Sequence, residues 1–323
     1  MKVSFCIPSL NRPEFLINAI NSICVNDKLS ADFEICVYNN CSDISYKIVE
    51  DEINMLSAVF NITYKAGNSR LNIDLSMFEA IKLAKGEYYF FLGDDDYLTE
   101  TGLQDIFDII TNQHFDMAIF NATIINRSKN VKFESIGISN KKFNDLETIL
   151  VDLKKYCAYG NILIKRKYID FNDFSYLIGT SHAYGCFWFA FFRDYENGIN
   201  PVVIIPEKSV VNLNAIEKNY KLLEITFKHA DLEHQLYYNV VGPKSTGILK
   251  KFESDLWERQ TSLAQLIRFQ ISGNNIDDIK IYNLSLYNKL RFKIKLAKVL
   301  AYVLRYFRPV IKSVLNRIKS KGR

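Results

Sequence analysis

AKGEYYFFLGDDDYL, residues Ala84 to Leu98, sets an apolar run, Tyr88 to Leu92, one glycine ahead of three consecutive aspartates, Asp94, Asp95 and Asp96. Like charges gathered at the end of a buried strand ask for a cation. Carboxylate oxygens are hard ligands, and Mg2+ or Mn2+ held by one or two of them completes its octahedron with water and substrate phosphates. The same residues also suit a solvated loop that starts the next helix, with Thr99 as its cap and acids in the first turn. This stretch alone leaves both readings open.

Outward from it, short apolar runs alternate with helical patterns. Strands are expected at Val3–Ile7, Phe33–Tyr38, Val59–Tyr64, Tyr88–Leu92 and Phe115–Phe120, and helices at Pro13–Asn26, Ile44–Met55, Ile73–Ala84 and Leu103–Asn112. Such alternation predicts an α/β fold with a mainly parallel sheet covered on both faces. Ligands bind such sheets outside the carboxyl ends of the strands, which is where Asn11, Asn39, Asn40 and the aspartates fall. Further on, Val131–Ile136 is expected to pair with Ala122–Asn126. Phe143–Tyr156 reads as a helix, Asn161–Ile164 as a strand, 166–181 as a loop, His182–Tyr195 as a helix and Val202–Ile205 as a strand. From Ala215 the pattern is helical with a turn at Gly242-Pro243. Residues 1–214 are thus expected to form one domain and 215–323 a helical extension.

The chain has 323 residues, 48% of them apolar, so it can bury a large core and disorder is not expected. Its six cysteines are scattered, without C-x-x-C or zinc spacing, and read as reduced core residues. Met1-Lys2 leads straight into a strand pattern without the apolar segment of a signal peptide, and a cytoplasmic location is expected. The net charge of +5 is unevenly spread: residues 280–323 hold 13 of the 41 Lys and Arg and no acid, so the first 279 residues carry 28 cations against 36 acids. From Lys289 onward those cations alternate with Leu290, Phe292, Ile294, Leu296, Val299, Leu300, Val303, Leu304, Tyr306, Phe307, Val310, Ile311, Val314, Leu315 and Ile318. The apolar stretches are far shorter than the roughly 20 residues a membrane span needs. A basic amphipathic helix lying on an anionic membrane surface fits this pattern, and would make the protein peripheral at the inner face of the cell membrane. Packing on the protein's own body is the rival; nucleic acid is the least favoured partner for the same charge.

Three segments together resemble the family 2 glycosyltransferases of the GT-A fold, over about residues 1–212. VSFCIPSLNR (Val3–Arg12) is similar to the family's first strand and turn, EICVYNNCSD (Glu34–Asp43) to its second strand and nucleotide loop, and Ala84–Leu98 to the stretch ending in its D-x-D motif. The LGDDD and NNCS variants look most like bacterial O-antigen transferases of the abequosyltransferase type. The resemblance implies an enzyme that moves a sugar from a nucleotide-diphosphate donor to a glycan or lipid-linked saccharide acceptor, with Mn2+ or Mg2+ neutralising the departing diphosphate. By resemblance, Asp94 lies near the ribose and Asp95 and Asp96 hold the metal, while Gly93 stands where the family usually has another acid. Pro8 and Asn11 would shape the first loop beside the base, and Arg70 and Asn72 would reach nucleotide or phosphate. Asp74 stands where the family's N-x-G has glycine.

Asn39 replaces an aspartate that commonly accepts from uracil N3–H. An amide also donates, so a cytidine donor is one hypothesis; a plain turn is the other reading of Asn39 and Asn40. Inverting members use a carboxylate to deprotonate the acceptor, often in an E-D pair opening a helix about 90 residues past the metal motif. Here Thr180-Ser181-His182 occupies that place, making His182 the positional candidate for the base, since imidazole titrates near neutrality. Asp194 and Glu196 are the acidic alternatives, and a capping or packing role for His182 stays open. Trp188 and Trp257 suit core packing better than sugar stacking. Two other functions remain: a catalytically inactive GT-A-fold protein that binds glycan or membrane, and a nucleotidyltransferase, although Ser9–Pro13 holds no glycine for the latter's phosphate loop. No G-x-G-x-x-G follows any expected strand, which argues against a dinucleotide oxidoreductase.

Overall fold

A computed structural model describes residues 1–126, 131–134, 140–157, 159–214, 227, 230–239, 241–271, 275–282 and 284–321. They fall into two compact units, Met1–Lys218 with Leu236–Leu249, and Asn219–Gln235 with Lys250–Arg323. The expected boundary at 214/215 adjoins a segment, 215–226, that lies outside the described residues, as do Ser135 and Ile136 of the expected pairing strand.

Strands with every residue buried take the middle of a sheet, because both of their faces need cover. β1 (Val3–Ser9) and β2 (Phe33–Asn39) are buried at all positions, while β3 (Ile62–Ala66) is only half buried and lies at the edge. β4 (Tyr88–Phe91) completes the run, and the order β3-β2-β1-β4 is parallel throughout. Phe5 and Phe33 meet edge to face at 6.0 Å, and Phe5 and Phe90 lie 5.4 Å apart. Each such ring contributes roughly 1.5–3 kcal/mol by burial. Beyond β4 the sheet continues through β10 (Ile162–Lys165), β6 (Met117–Ile119), β11 (Val203–Ile205) and β9 (Lys141–Phe143). β10 runs antiparallel to both β4 and β6, the main departure from an all-parallel reading. A second sheet has the order β5 (Tyr97–Leu98), β12 (Ser209–Asn214), β7 (Asn121–Asn126), β8 (Val131–Glu134), and it includes the expected pairing of β7 with β8.

The helices follow their apolar spacing. α1 (Pro13–Ile23) starts at a proline preset for helix and buries Leu16, Ala19, Ile20 and Ile23 on one face. α2 (Lys47–Leu56), α3 (Ile73–Leu83) and α4 (Gly102–Asn112) lie close to the expected spans. Three expectations need correcting. Phe143–Tyr156 is not one helix: a short α5 (Leu146–Thr148) widens into a π turn, Ile149–Leu153, then a 3-10 turn, although Leu146, Ile149, Leu150 and Leu153 stay on one buried face. The supposed loop 166–181 contains α6 (Phe171–Tyr176), whose N-terminus Asp170 caps through Asn172 and Asp173 N–H. The helix expected from His182 begins later, as α7 (Phe187–Glu196), after a 3-10 turn at Ala183–Cys186.

In the second unit Phe227, Leu266, Phe269, Ile276, Ile279, Leu290, Ile294 and Ala297 form a core, with Trp257 stacked on Phe227 at 6.2 Å. Trp188 is likewise core, against Phe187 and Phe191. All six cysteines are free thiols. Burial pushes those of Cys6, Cys24, Cys36 and Cys186 up, which leaves them inert.

Candidate active site

The chain runs outward from β1 to β2 to β3 and then returns to place β4 on the other side of β1. Strand order therefore reverses between β1 and β4, and at such a switch point the loops after the two strands diverge and leave a crevice. Asp94, just past β4, reaches across it. Its Oδ2 accepts from Ser9 Oγ at 2.8 Å and from Leu10 N–H at 3.4 Å, and Arg12 Nη1 lies 3.1 Å from both Asp94 Oδ1 and Asp95 Oδ2. Burial raises the Asp94 carboxyl above the ordinary carboxylate range, with Asp95 adding to the rise, while the Ser9 hydroxyl and Arg12 pull it back.

Asp96 turns the other way, toward Gly93 and Gly160. A Cβ on Gly93 would stand 2.8 Å from Asp96 Oδ2 and 3.0 Å from Asp95 Oδ1, and one on Gly160 would stand 3.1 Å from Asp96 Oδ2 and 2.6 Å from Leu213 Cδ2. Gly160 also has φ +89, a left-handed backbone that glycine alone adopts freely. The missing acid at Gly93 thus has a spatial reason: the two following carboxylates fill the volume its side chain would need.

The expected nucleotide loops are tied to one another. In the register of β1 and β2, Ser9 lies beside Asn39, and Pro8 sits in β1 opposite Tyr38, past the last pairing with β4. Asn11 has φ +57, a left-handed conformation that asparagine tolerates. It binds Asp43 twice, through Nδ2 to Asp43 Oδ2 at 2.9 Å and from Asp43 N–H to its own Oδ1 at 2.7 Å. Arg70 pairs with the same Asp43, holding that carboxyl below its usual range. Asn40 clamps Leu71 reciprocally, donating to its carbonyl at 2.9 Å and accepting its N–H at 2.8 Å. Asn72 then caps α3 by accepting from Leu75 N–H at 2.9 Å. Asn39 accepts Ser42 N–H on Oδ1 at 3.1 Å and gives one Nδ2 hydrogen to Tyr64 Oη at 2.9 Å, which leaves its second N–H and one Oδ1 lone pair to meet a base.

His182 lies at the start of the 3-10 turn, with its N–H bonded to Thr180 Oγ1 at 3.0 Å. Its ring meets Tyr184 at 6.3 Å, Tyr184 meets Tyr159 at 4.3 Å, and Tyr159 precedes Gly160, where an added Cβ would stand 3.1 Å from Asp96 Oδ2. Two ring contacts and the Tyr159–Gly160 peptide thus lie between His182 and the aspartates. Asp194 and Glu196 are not brought there. Tyr168 contacts Asp116 and Asp194, and Asp116 binds Lys165, the residue opposite Tyr88 at the amino end of β4; this puts Asp194 at the far end of the sheet. Glu196 Oε1 accepts Ser245 N–H at 2.7 Å, capping the helix Pro243–Gln260.

Ser9, Arg12, Tyr159 and Gly160 had no role in the sequence reading. Ser9 and Arg12 stand inside the quoted opening stretch, but their partners only become neighbours when β4 pairs with β1. Among the described residues no three acidic, histidine or cysteine side chains close on one point. Two hard carboxylates, Asp95 and Asp96, buried beside a crevice, still fit a Mn2+ or Mg2+ ion that takes its other ligands from phosphate and water.

A mainly parallel sheet with this switch point, an acidic turn at its mouth and a second small sheet beside it defines a GT-A protein. The sequence pattern of glycosyl transferase family 2 matches residues 4–196, and the chain belongs to that family. It is similar to abequosyltransferase RfbV of Salmonella typhimurium, 35% identical over 104 residues, covering 32% of this chain and 31% of that protein. It is also similar to the poly(ribitol-phosphate) beta-N-acetylglucosaminyltransferase TarS of Staphylococcus aureus, 28% identical over 128 residues, 39% of this chain and 22% of TarS. These matches span about a third or less of the relatives. The crystal structure of S. aureus TarS 1–349 in complex with UDP-GlcNAc superposes with a TM-score of 0.62 at 15% identity, covering 94% of this chain and 89% of that one, which is a likeness of fold.

Proposed function

We propose that this protein is an inverting glycosyltransferase that moves a sugar from a nucleoside-diphosphate donor to a hydroxyl of a bacterial surface polysaccharide, with a lipid-linked saccharide as acceptor. The observation that carries the reading is the junction at the switch point, where Asp94 and Asp95 share Arg12 beside the stitched loops of Asn11, Asn39, Asn40 and Asp43. RfbV and TarS are named for sugar transfer, the latter to poly(ribitol-phosphate), which supports the same class of reaction. Asp95 and Asp96 would hold a divalent cation, which would supply neutralisation of the charge that grows on the departing diphosphate. The chain's own residues do the rest. The two Asn loops and Arg70 orient the nucleotide, His182 takes the proton from the acceptor hydroxyl, and in-line attack opposite the diphosphate inverts the anomeric centre.

A screen of nucleotide-sugars with Mn2+, reading released diphosphate, tests this. One donor class is expected to turn over in the presence of an acceptor glycan, and no release with any donor counts for a binding protein instead. The same screen with CDP, UDP, GDP and dTDP as competitors reads out Asn39. Its one remaining N–H suits the acceptor nitrogen of cytosine, so CDP is expected to compete best, and a preference for UDP removes the cytidine donor.

No helix among the described residues is long and apolar enough to cross a membrane. The helix Leu284–Lys321 divides its faces. Leu290, Ile294, Ala297 and Ala301 are buried, whereas Phe292, Leu296, Val299 and Tyr302 are exposed among Lys289, Arg291, Lys293 and Lys295. Self-packing thus accounts for one stripe only. The side chains of Val303, Tyr306, Phe307, Val310, Ile311, Val314, Leu315 and Ile318 lie outside the described residues. We assign the exposed stripe to an anionic bilayer surface, where a lipid-linked acceptor would be met in two dimensions. Cutting the chain at Leu286 would strip Leu290, Ile294 and Ala297 from the core, so the cleaner variant is Phe292→Glu with Tyr302→Glu. Losing two exposed aromatics from the bilayer-facing stripe is expected to lower co-sedimentation with phosphatidylglycerol vesicles by about tenfold or more, at unchanged Tm. An unaltered bound fraction counts against the membrane role.

A further inference from the structure

Asp74 is the acid that stands where glycine is expected, and it is 1% exposed. An acid taken out of water needs its oxygens satisfied. Three backbone donors of one turn do this: Gly179 N–H and Ser181 N–H reach Oδ2 at 2.8 and 3.0 Å, and Ala183 N–H reaches Oδ1 at 3.1 Å. Alternate residues can aim at one anion because the turn contains two left-handed positions, Gly179 at φ +95 and Ser181 at φ +62. His182 sits between the last two donors: the N–H groups of the residues on either side of it both bond the Asp74 carboxylate, while its own N–H bonds Thr180 Oγ1. On its other side Asp74 belongs to the first turn of α3, three residues after the Leu71 that Asn40 clamps and two after the cap Asn72. One rigid helix start therefore carries the nucleotide loop and the histidine turn together.

We propose that Asp74 is a positioning residue for transfer: it fixes the turn that aims the His182 imidazole, and it ties that turn to the loop expected to hold the donor nucleotide. The proposal rests on His182 as the acceptor base. Asp74→Asn keeps the shape but turns an amide N–H toward backbone N–H groups. It is expected to cut kcat about 100-fold, the cost of misplacing a reacting group by an ångström, with the nucleotide Kd unchanged. His182→Gln is expected to be slow as well, and the double variant no slower than His182→Gln alone, because a displaced imidazole and an absent one forfeit the same step. A wild-type kcat for Asp74→Asn, or losses that multiply in the double variant while His182→Gln alone is slow, overturns the role of Asp74 and leaves the base in place. A wild-type kcat for His182→Gln overturns the base itself and the proposal with it, so the two failures are distinct. Should Asp74→Asn not fold by circular dichroism, Ser181→Gly replaces it, since it keeps the carboxylate and the N–H donor but frees the strained turn. A several-fold kcat loss that disappears on the His182→Gln background supports the proposal; the same loss on that background, or none at all, overturns it.

Discussion

Asp96→Asn is expected to remove transfer almost entirely, by about 100- to 1000-fold, the scale on which a single preorganised electrostatic contact acts. The substitution is nearly isosteric, so it fits the space between Gly93 and Gly160 that the carboxylate occupies. What it loses is charge and a hard anionic ligand. Asp95→Asn is expected to match it in rate and to loosen Arg12 as well, whose guanidinium stands 3.1 Å from that carboxylate. The measurement that isolates the cause is nucleotide affinity with and without Mn2+, followed by the free-ion electron paramagnetic resonance signal. Wild type should bind the diphosphate and the ion together, and either variant should bind the nucleotide with no gain from Mn2+. Asp94→Asn should behave differently, since Asp94 is engaged by Ser9, Leu10 and Arg12 and its main work is to join β4 to β1; it should lower Tm more than it lowers the response to Mn2+. Full turnover in Asp95→Asn and Asp96→Asn, with the ion response intact, would remove these two residues from the diphosphate site.

Arg12 gives this acidic turn a physical logic. Adjacent buried carboxylates repel, and a fixed guanidinium between two of them offsets that repulsion before any substrate arrives. Because the side chain is still 37% exposed, its contribution to stability is modest.

The sheet was legible where burial was complete. β1, β2 and β4 bury every residue, and such strands read as largely apolar runs; the buried Ser4 and Glu34 that interrupt β1 and β2 bond each other at 2.7 Å. The direction of a strand leaves no such trace, which is why β10 could be placed but not seen to run antiparallel. α6 was missed because only Phe174 and Asp173 of its six residues are buried while Phe171 and Tyr176 are exposed, so no period emerges. At the site, the aspartates and the two asparagines announced themselves as polar groups at strand ends. Their partners did not: Leu71 for Asn40, Tyr64 for Asn39 and Arg12 for Asp94 are 25 to 82 residues away in sequence. Asp74 was visible as an exception to a pattern, yet its reason lies more than a hundred residues on, at Gly179, Ser181 and Ala183.

His182→Ala is expected to lower kcat for transfer by about 100- to 10,000-fold, the range that a positioned general base contributes, while donor binding stays as it was. The separation follows from where the residue sits. Among the described residues His182 shares no hydrogen bond with Asn11, Asn39, Asn40 or Arg70; its ring meets Tyr184, which in turn meets Tyr159. The Tyr159 hydroxyl is buried without a hydrogen-bond partner among the described residues, and burial together with the nearby Asp74 pushes its phenol well up, so it stays a neutral donor and cannot serve as the base itself. Neither Asp194 nor Glu196 can substitute, because the first lies beside Asp116 and Tyr168 at the amino end of β4 and the second caps the helix at Pro243. Single-turnover transfer with preloaded donor, read against nucleotide affinity by calorimetry, separates chemistry from binding. Asp194→Asn should transfer at the wild-type rate. A fast His182→Ala paired with a slow Asp194→Asn would move the base to the other end of the sheet and require a different acceptor path.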